Sequence, residues 1–346
     1  MFSVPRLRNR KRPVSGADGA PPTVFVTSRP PRHRLDFVDQ LVGDDSAGEA
    51  PTDVVREYGT NPARAHDVDV VHLTDITHAI GGGLTSEYER ARRAKRLVTL
   101  LRRQGTALVR SVQPDERGRA PSRAEAILDR AVASFIALTP STSATGHEAV
   151  VIAHSHLRAR FLGFPREQAH AGRILITAHT TFGPAYEAVI KVFSATEPGD
   201  WTLRIAGEVP EPLAESFSRT LGDHADTMSL RDEALSDAAS VEEIGRAEIV
   251  LVTAPESYEG QSLILWALSL DRPVLVEDSP ATRSLADEVG QRWVRRYPAP
   301  LTAAKLEDAL RGFRTDPPVG RPNLDAREPN EISAQYSAVF RATAGR

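Results

Sequence analysis

The chain has 346 residues, 40% of them hydrophobic, and a net charge of −3, enough for two domains of roughly 100–200 residues each and no global electrostatic case for nucleic acid. It has no cysteine and its ten His show no HExxH or other tight ligand spacing, which excludes disulfides, Cys-zinc sites and thiol catalysis. No apolar run reaches the roughly 18–20 residues of a membrane span, and the N-terminus lacks the apolar core of a secretory signal, so the expected location is the cytoplasm.

Residues 1–22 are polar, Pro-rich and basic, with Arg6, Arg8, Arg10, Lys11 and Arg12 against Asp18. They read as a disordered tail. The alternative is peripheral contact with an anionic inner membrane face, where each basic residue contributes about 1 kcal/mol. Thr23–Ser28 (TVFVTS) is the first strand, and Arg29-Pro30-Pro31-Arg32 follows it in place of a Gly-rich phosphate loop. A helix is expected over Arg34–Val42 and an irregular surface segment over 43–66. Val68–Leu73 (VDVVHL) is a strand with its loop over Thr74–Gly83. Glu87–Arg103 is a charged amphipathic helix stopped by Gly105. Its Arg/Lys run reads as a solvated face rather than a nucleic-acid patch. Thr106–Val112 is a strand, Arg123–Ala131 a helix, and Ser134–Leu138 and Ala149–Ala153 are strands.

A composition break at Gly163–Gly172 precedes a second series. Strand Arg173–Ala178, helix Pro184–Ala195, strand Trp201–Ala206 and helix Glu211–Leu221 come first. A short strand near Thr227 and a helix near Ser240–Gly245 follow. Ile249–Thr253 is then a buried parallel strand, Pro255–Ser262 a polar loop, Leu263–Leu270 an apolar helix and Val274–Val276 a strand. Another helix begins at Ala281, and Leu301–Phe313 closes the half. Residues 314–329 are Pro-rich. In the last helix, Glu331–Thr343, Ile332, Tyr336, Val339 and Phe340 share one face, so it is expected to dock back across the first half.

Strands alternate with helices throughout. The class is α/β, with two parallel, Rossmann-like sheets over 23–170 and 171–313 and a linker with closing helix over 314–346. In such sheets ligands sit at the carboxyl ends of strands, against helix N-termini whose N–H groups and partial positive charge suit phosphate. The βαβ unit over Ile249–Val276 therefore marks Glu256–Ser262 as the first candidate site.

The residues resemble those of GT-B glycosyltransferases, and within them the branch of GDP-mannose:glycolipid β-1,4-mannosyltransferases. In the second half the resemblance rests on WTLRIAGEVPEPL and on LILWALSLDRPVLVEDSPATRSLADEVGQRWVRRYPAPLTAAKLEDAL. The terminal EISAQYSAVFRAT is also similar. In the first half DVVHL, RLVTLLRRQGTALVRSV, ILDRAVASFIALTPST and VVIAHSHLRARF fall in the family's order. Together they cover most of residues 66–343. The resemblance implies two sheets facing a cleft, a nucleotide-sugar donor (GDP-linked in that branch), no other cofactor and no metal. The acceptor would be a glycan or glycolipid in polysaccharide assembly, and the mechanism inverting.

Departures concentrate at the family's sites. Thr74-Asp75-Ile76-Thr77 stands where the family carries His-Trp-Pro-Glu, and Gln113-Pro114-Asp115-Glu116 where it carries His-Asn and Pro-His-Glu. His154 and His156 keep part of a Pro-His-Gly-His-Tyr motif. The donor loop has His179-Thr180-Thr181 and no Arg…Lys pair, and Gly260-Gln261-Ser262 replaces Asn-Ser-Gly. Glu259 matches the first member of a Glu–x7–Glu pair, whereas Trp266 and Ala267 occupy the second region. The candidate general bases are Asp75, Asp115 and Glu116. His179, Thr180, Arg204, Glu256, Glu259, Gly260, Gln261 and Ser262 are the donor-site candidates, with Arg283 a further substitute cation. Ser262 serves equally as an ordinary N-cap. His72, His154 and His156 are cleft candidates, with hydrogen bonding at the domain junction as the alternative for the last two. A catalytically degenerate relative that binds a sugar nucleotide or a partner enzyme is the alternative function, motivated by the missing Arg…Lys pair. A dinucleotide-dependent oxidoreductase is the third class, and no GxGxxG follows a strand to support it.

Overall fold

The computed structural model describes residues 20–29, 53–82, 84–112, 120–139, 148–177 and 184–345. The expected basic tail, apart from its last three residues, and the expected helix over 34–42 lie outside them. Six parallel strands form the first sheet: β1 (Thr23–Val26), β2 (Val55–Tyr58), β3 (Val70–Leu73), β4 (Ala107–Val112), β5 (Ser134–Ala137) and β6 (Ala149–Val151), in the order β2-β1-β3-β4-β5-β6. Six more form the second: β7 (Arg173–Thr177), β8 (Thr202–Ala206), β9 (Met228–Arg231), β10 (Ile249–Val252), β11 (Val274–Glu277) and β12 (Val294–Tyr297). Their order is β12-β11-β10-β7-β8-β9, again parallel.

Central strands such as β3 (VVHL) and β10 (IVLV) are buried at every position, as expected where helices cover both faces of a parallel sheet. The edge strands β2 (VREY) and β12 (VRRY) were not visible in the apolar pattern. Each keeps charged residues because one flank of an edge strand meets no neighbour, and β2 lies inside a segment expected to be irregular.

The helices are α1 (Thr77–Ile80), α2 (Glu87–Gln104), α3 (Arg123–Asp129), α4 (Pro184–Ser194), α5 (Glu211–Asp223), α6 (Asp237–Arg246), α7 (Tyr258–Ser269), α8 (Pro280–Val289), α9 (Ala303–Thr315) and α10 (Pro329–Ala344). Ser86, Ser122, Ser236 and Ser257 cap α2, α3, α6 and α7 by accepting a first-turn N–H, which satisfies donors a helix start leaves unpaired.

The last helix crosses back. Ile332, Tyr336 and Phe340 of α10 enter the core of the first sheet beside Val24, Val26, Val70, Val109, Ile136 and Ile152, with Val339 packed at its rim. Arg56 on β2 donates to Ser337 Oγ at 2.9 Å and Ser333 Oγ at 3.4 Å, and Arg341 pairs with Asp53. The segment before α10 ties both halves. Arg327 grips Glu288 of α8 with two hydrogen bonds of 2.6 and 2.7 Å. It also donates to the His154 carbonyl at 3.4 Å. Leu157 N donates to Ser269 Oγ at the end of α7.

Phe340→Ala should lower the unfolding free energy by about 3–5 kcal/mol, seen as a reduced urea midpoint; an unchanged midpoint would mean that α10 does not hold the first sheet.

Candidate functional site

Strand order locates the crevices. From β7 the chain moves outward through β8 and β9, then returns to β10 on the other side, so the second sheet reverses between β7 and β10. The first sheet reverses between β1 and β3. Ligand crevices of open α/β sheets form at such reversals, beyond the carboxyl ends of the strands.

After β10, residues 253–257 turn into α7. Ser257 is the N-cap: its Oγ accepts the Gly260 N–H at 2.9 Å and donates to the Ala254 carbonyl at 2.9 Å. Gly260 lies so close to the loop that a Cβ there would sit 2.0 Å from the Ala254 oxygen. No residue with a side chain fits without moving backbone. Gln261 is buried, and its amide donates to the Pro255 carbonyl at 2.5 Å.

These contacts correct the expected loop. α7 begins at Tyr258, five residues before the apolar run at Leu263, and Ser257 caps it rather than Ser262. The N–H groups of Gly260 and Gln261 are already taken, by Ser257 Oγ and the Ser257 carbonyl. Neither is free for phosphate, and the Gln261 side chain faces inward. Ser262 lies in the second turn. The first-turn N–H groups of Tyr258 and Glu259 have no partner among the described residues, and Glu259 is exposed beside them.

Tyr186, in the first turn of α4, reaches the same crevice. Its hydroxyl hydrogen-bonds Thr253, and its pKa is raised by burial and by the nearby Glu259 carboxylate. Tyr186, Thr253 and Glu259 thus meet at the β7/β10 reversal. Sequence reasoning singled out neither Tyr186 nor Thr253. Ser257 was detectable as a serine just before the helix, but the later apolar run drew the boundary past it.

Arg204 does not join this group. It points from β8 to Glu243 of α6, with bonds of 3.1 and 2.7 Å, and Arg173 and Arg231 reach the same carboxylate at 2.8 and 3.4 Å. Burial pushes Glu243 up, but the three guanidiniums outweigh it and hold the carboxyl below its ordinary value. Three cations around one buried acid make a structural cluster. Arg283 is likewise engaged, by Asp278, at 2.5 to 3.1 Å.

At the other reversal, Thr27 and Thr74 lock the ends of β1 and β3. Thr74 N donates to Thr27 Oγ1 at 3.0 Å, and Thr74 Oγ1 to the Thr27 carbonyl at 2.8 Å. Asp75 follows, partly exposed, its Oδ1 accepting the Thr77 N–H at 2.7 Å at the start of α1. The expected sites at Asp115, Glu116, His179 and Thr180 lie outside the described residues.

The cleft expectation fails for His72. It is fully buried in β3, its Nε2 is 2.9 Å from Ser111 Oγ, and its ring packs 6.1 and 5.3 Å from Tyr336 and Phe340. Burial, then the Arg56 charge, pulls its pKa down to about 3. His154 is also buried and pulled to about 3, by burial and the Arg327 charge. His156 Nε2 is 2.9 Å from Glu328 Oε1, and the backbone N–H of His156 donates to the Arg327 carbonyl. Both sit against the return segment that enters α10.

No family model matches the chain. It is 25% identical over 350 residues to a GDP-mannose:glycolipid 4-beta-D-mannosyltransferase of Xanthomonas campestris pv. campestris, covering 96% of each chain. AviGT4, a glycosyltransferase involved in avilamycin A biosynthesis, superposes with a TM-score of 0.54 at 17% identity, over 94% of this chain and 98% of that one. Anabaena HepE, solved with UDP and glucose, gives 0.54 at 11% identity, over 93% and 95%. The chain has the GT-B fold.

Two outcomes follow for this fold. Gly260→Ala should displace the 253–257 turn and cost about 1–3 kcal/mol, read as a lower thermal midpoint; wild-type stability would show that the turn yields freely. His72 and His154 stay neutral in the folded chain down to about pH 3, but take a proton below pH 6.5 when unfolded. Their stabilisation is complete above pH 6.5 and lost as pH falls toward 3, at up to about 1.4 kcal/mol per pH unit for each. Urea unfolding of His72→Gln and His154→Gln between pH 7 and about 5.5 should show shallower pH dependence than wild type; parallel curves would contradict the buried neutral imidazoles.

Proposed function

We propose that the transferase moves a sugar from a nucleotide-sugar donor, GDP-linked, to a hydroxyl of a glycan or glycolipid acceptor in polysaccharide assembly at the cytoplasmic face of a membrane. The observation that carries this reading is the meeting of Tyr186, Thr253, Glu259 and the start of α7 at the reversal of the second sheet. The matching relatives support the choice of donor and acceptor: one is named a GDP-mannose:glycolipid transferase and one neighbour was solved with UDP. No described helix is long and apolar enough to cross a membrane.

In this reading the diphosphate rests on the N–H groups of Tyr258 and Glu259, where the helix dipole favours negative charge. Glu259 accepts hydrogen bonds from donor hydroxyls, and the Tyr186 hydroxyl donates toward the leaving oxygen. Glu256 borders the same turn. His179 and Thr180 follow β7 in sequence and are assigned to the donor as well. Asp75 takes the proton of the acceptor hydroxyl as its oxygen bonds to the anomeric carbon and the bond to the diphosphate oxygen breaks. Asp115 and Glu116, which follow β4 in sequence, are the competing bases. Arg204 and Arg283 are paired with acids, so dipoles and hydroxyls supply the stabilisation that cations usually give. Losing one such donor costs about 10²–10³ in rate, and turnover should be slow.

Calorimetry with GDP, UDP and GDP-mannose tests the donor site. Glu259→Ala should weaken donor binding, whereas Asp75→Asn should leave it intact and lower turnover by about 10²–10⁴. Failure of every nucleotide to bind would sink the reading, and full turnover in Asp75→Asn would move the base elsewhere.

A further inference from the structure

We propose that the outer face of α2, together with Leu84, is a docking surface for an anionic phospholipid membrane. The helix has two opposite stripes. Ala91, Ala94, Leu97, Val98 and Leu101 face the core. Tyr88, Arg92, Lys95, Arg96, Arg102 and Arg103 are exposed and fall on the other side, spaced at multiples of a helical turn.

The charge there is one-sided. The only acids of α2 are Glu87 and Glu89, in its first turn. Glu89 is engaged by Arg92 and Arg93 at 3.4 and 3.3 Å. Lys95, Arg96, Arg102 and Arg103 have no acidic partner among the described residues. Neighbouring α3 adds exposed Arg123 and Arg130. A chain of net charge −3 thus carries a local run of exposed cations along α2. Near an anionic leaflet each such residue contributes about 1 kcal/mol.

Charge alone would also suit a nucleic acid. The apolar end of the stripe decides between them. Leu84 is fully exposed and Tyr88 is 79% exposed, among the most exposed large apolar side chains described. An isolated leucine gains nothing from a phosphate backbone but gains from leaving water for acyl chains. Tyrosine, apolar in body with a polar tip, prefers the membrane–water boundary. A basic face ending in Leu and Tyr matches an interfacial surface.

The location gives the contact a use. α2 starts at the same carboxyl edge of the first sheet as Asp75, which it follows by way of α1. A membrane holding Leu84 and Tyr88 would lie beside that edge, where a lipid-linked hydroxyl could be presented. The surface itself is read from charge and exposure and stands whatever the acceptor is.

Co-sedimentation of the full chain with vesicles tests it without any activity assay. Wild type should bind phosphatidylcholine vesicles that contain phosphatidylglycerol, and not those of phosphatidylcholine alone. The quadruple variant K95E/R96E/R102E/R103E should lose roughly tenfold or more in affinity. Leu84→Ser combined with Tyr88→Ser should lose several-fold while keeping wild-type salt dependence, since no charge is removed. Wild-type binding by the charge-reversed chain would overturn the proposal and assign the contact to residues 6–12. Unchanged vesicle binding in the Leu84/Tyr88 variant, with tight binding of duplex DNA or RNA by wild type, would make this a nucleic-acid face instead.

Discussion

A mostly buried guanidinium that must be satisfied from both halves of the chain is the constraint on which this architecture turns. Arg327 is 8% exposed and carries a charge that water cannot reach freely. It is stabilised by the Glu288 carboxylate from α8 and by the His154 carbonyl beyond β6, and its own carbonyl accepts the His156 N–H. Its partners come from around the first sheet and from a helix of the second. Removing any one leaves a desolvated charge short of a partner, which is far costlier than losing a surface pair. The return segment is pinned there before α10 begins, so α10 enters the first sheet at a set angle and register. His72 then becomes intelligible. A polar ring in the middle of β3 is tolerated because Ser111 satisfies one nitrogen while Tyr336 and Phe340 of the returning helix cover the rest.

That scaffold determines where chemistry can occur. Parallel strands send all their carboxyl ends to one edge, and the reversal of strand order opens a crevice in each sheet. In the second sheet the crevice is bounded by a turn that has no slack. Ser257, Gly260 and Gln261 each bond or abut the loop between β10 and α7. Their tight packing is what leaves Tyr258 and Glu259 to present their N–H groups outward. Residues expected to touch a ligand instead position the ones that can.

The legible part of the fold was the part written in local apolar pattern. The runs of β3 and β10 and the shared face of Ile332, Tyr336 and Phe340 announced a parallel sheet and a docking helix. β2 and β12 escaped because edge strands need little apolar content; Arg295 and Arg296 interrupt the apolar pattern in the middle of β12. Arg204 was misjudged for a different reason. Its partner Glu243 is 39 positions away, and pairing at that separation leaves no trace in composition or periodicity. The start of α7 was placed late because the apolar run begins at Leu263, while the capping Ser257 sits six residues before it. Short-range signals thus recovered elements and class, and long-range pairings decided which polar residues remain available for function.

The electrostatics of the crevice between β7 and β10 follow from the same division. The described arginines of this half are largely consumed by structural acids: Arg173, Arg204 and Arg231 by Glu243, Arg283 by Asp278, Arg314 by Asp200 and Glu248. A helix start offers only about half a unit charge, yet it is fixed in place and needs no reorganisation when charge develops on a leaving phosphate. Tyr186 complements it. Burial and the Glu259 carboxylate both raise its pKa, so the phenol keeps its proton across the physiological range and can only donate to an anion. On the proposed donor reading, Glu259 would repel the same anion and would instead face neutral hydroxyls of the donor. In that reading such a crevice trades the strength of a paired Arg and Lys for rigid, weaker donors, and would discriminate by shape and hydroxyl pattern more than by charge.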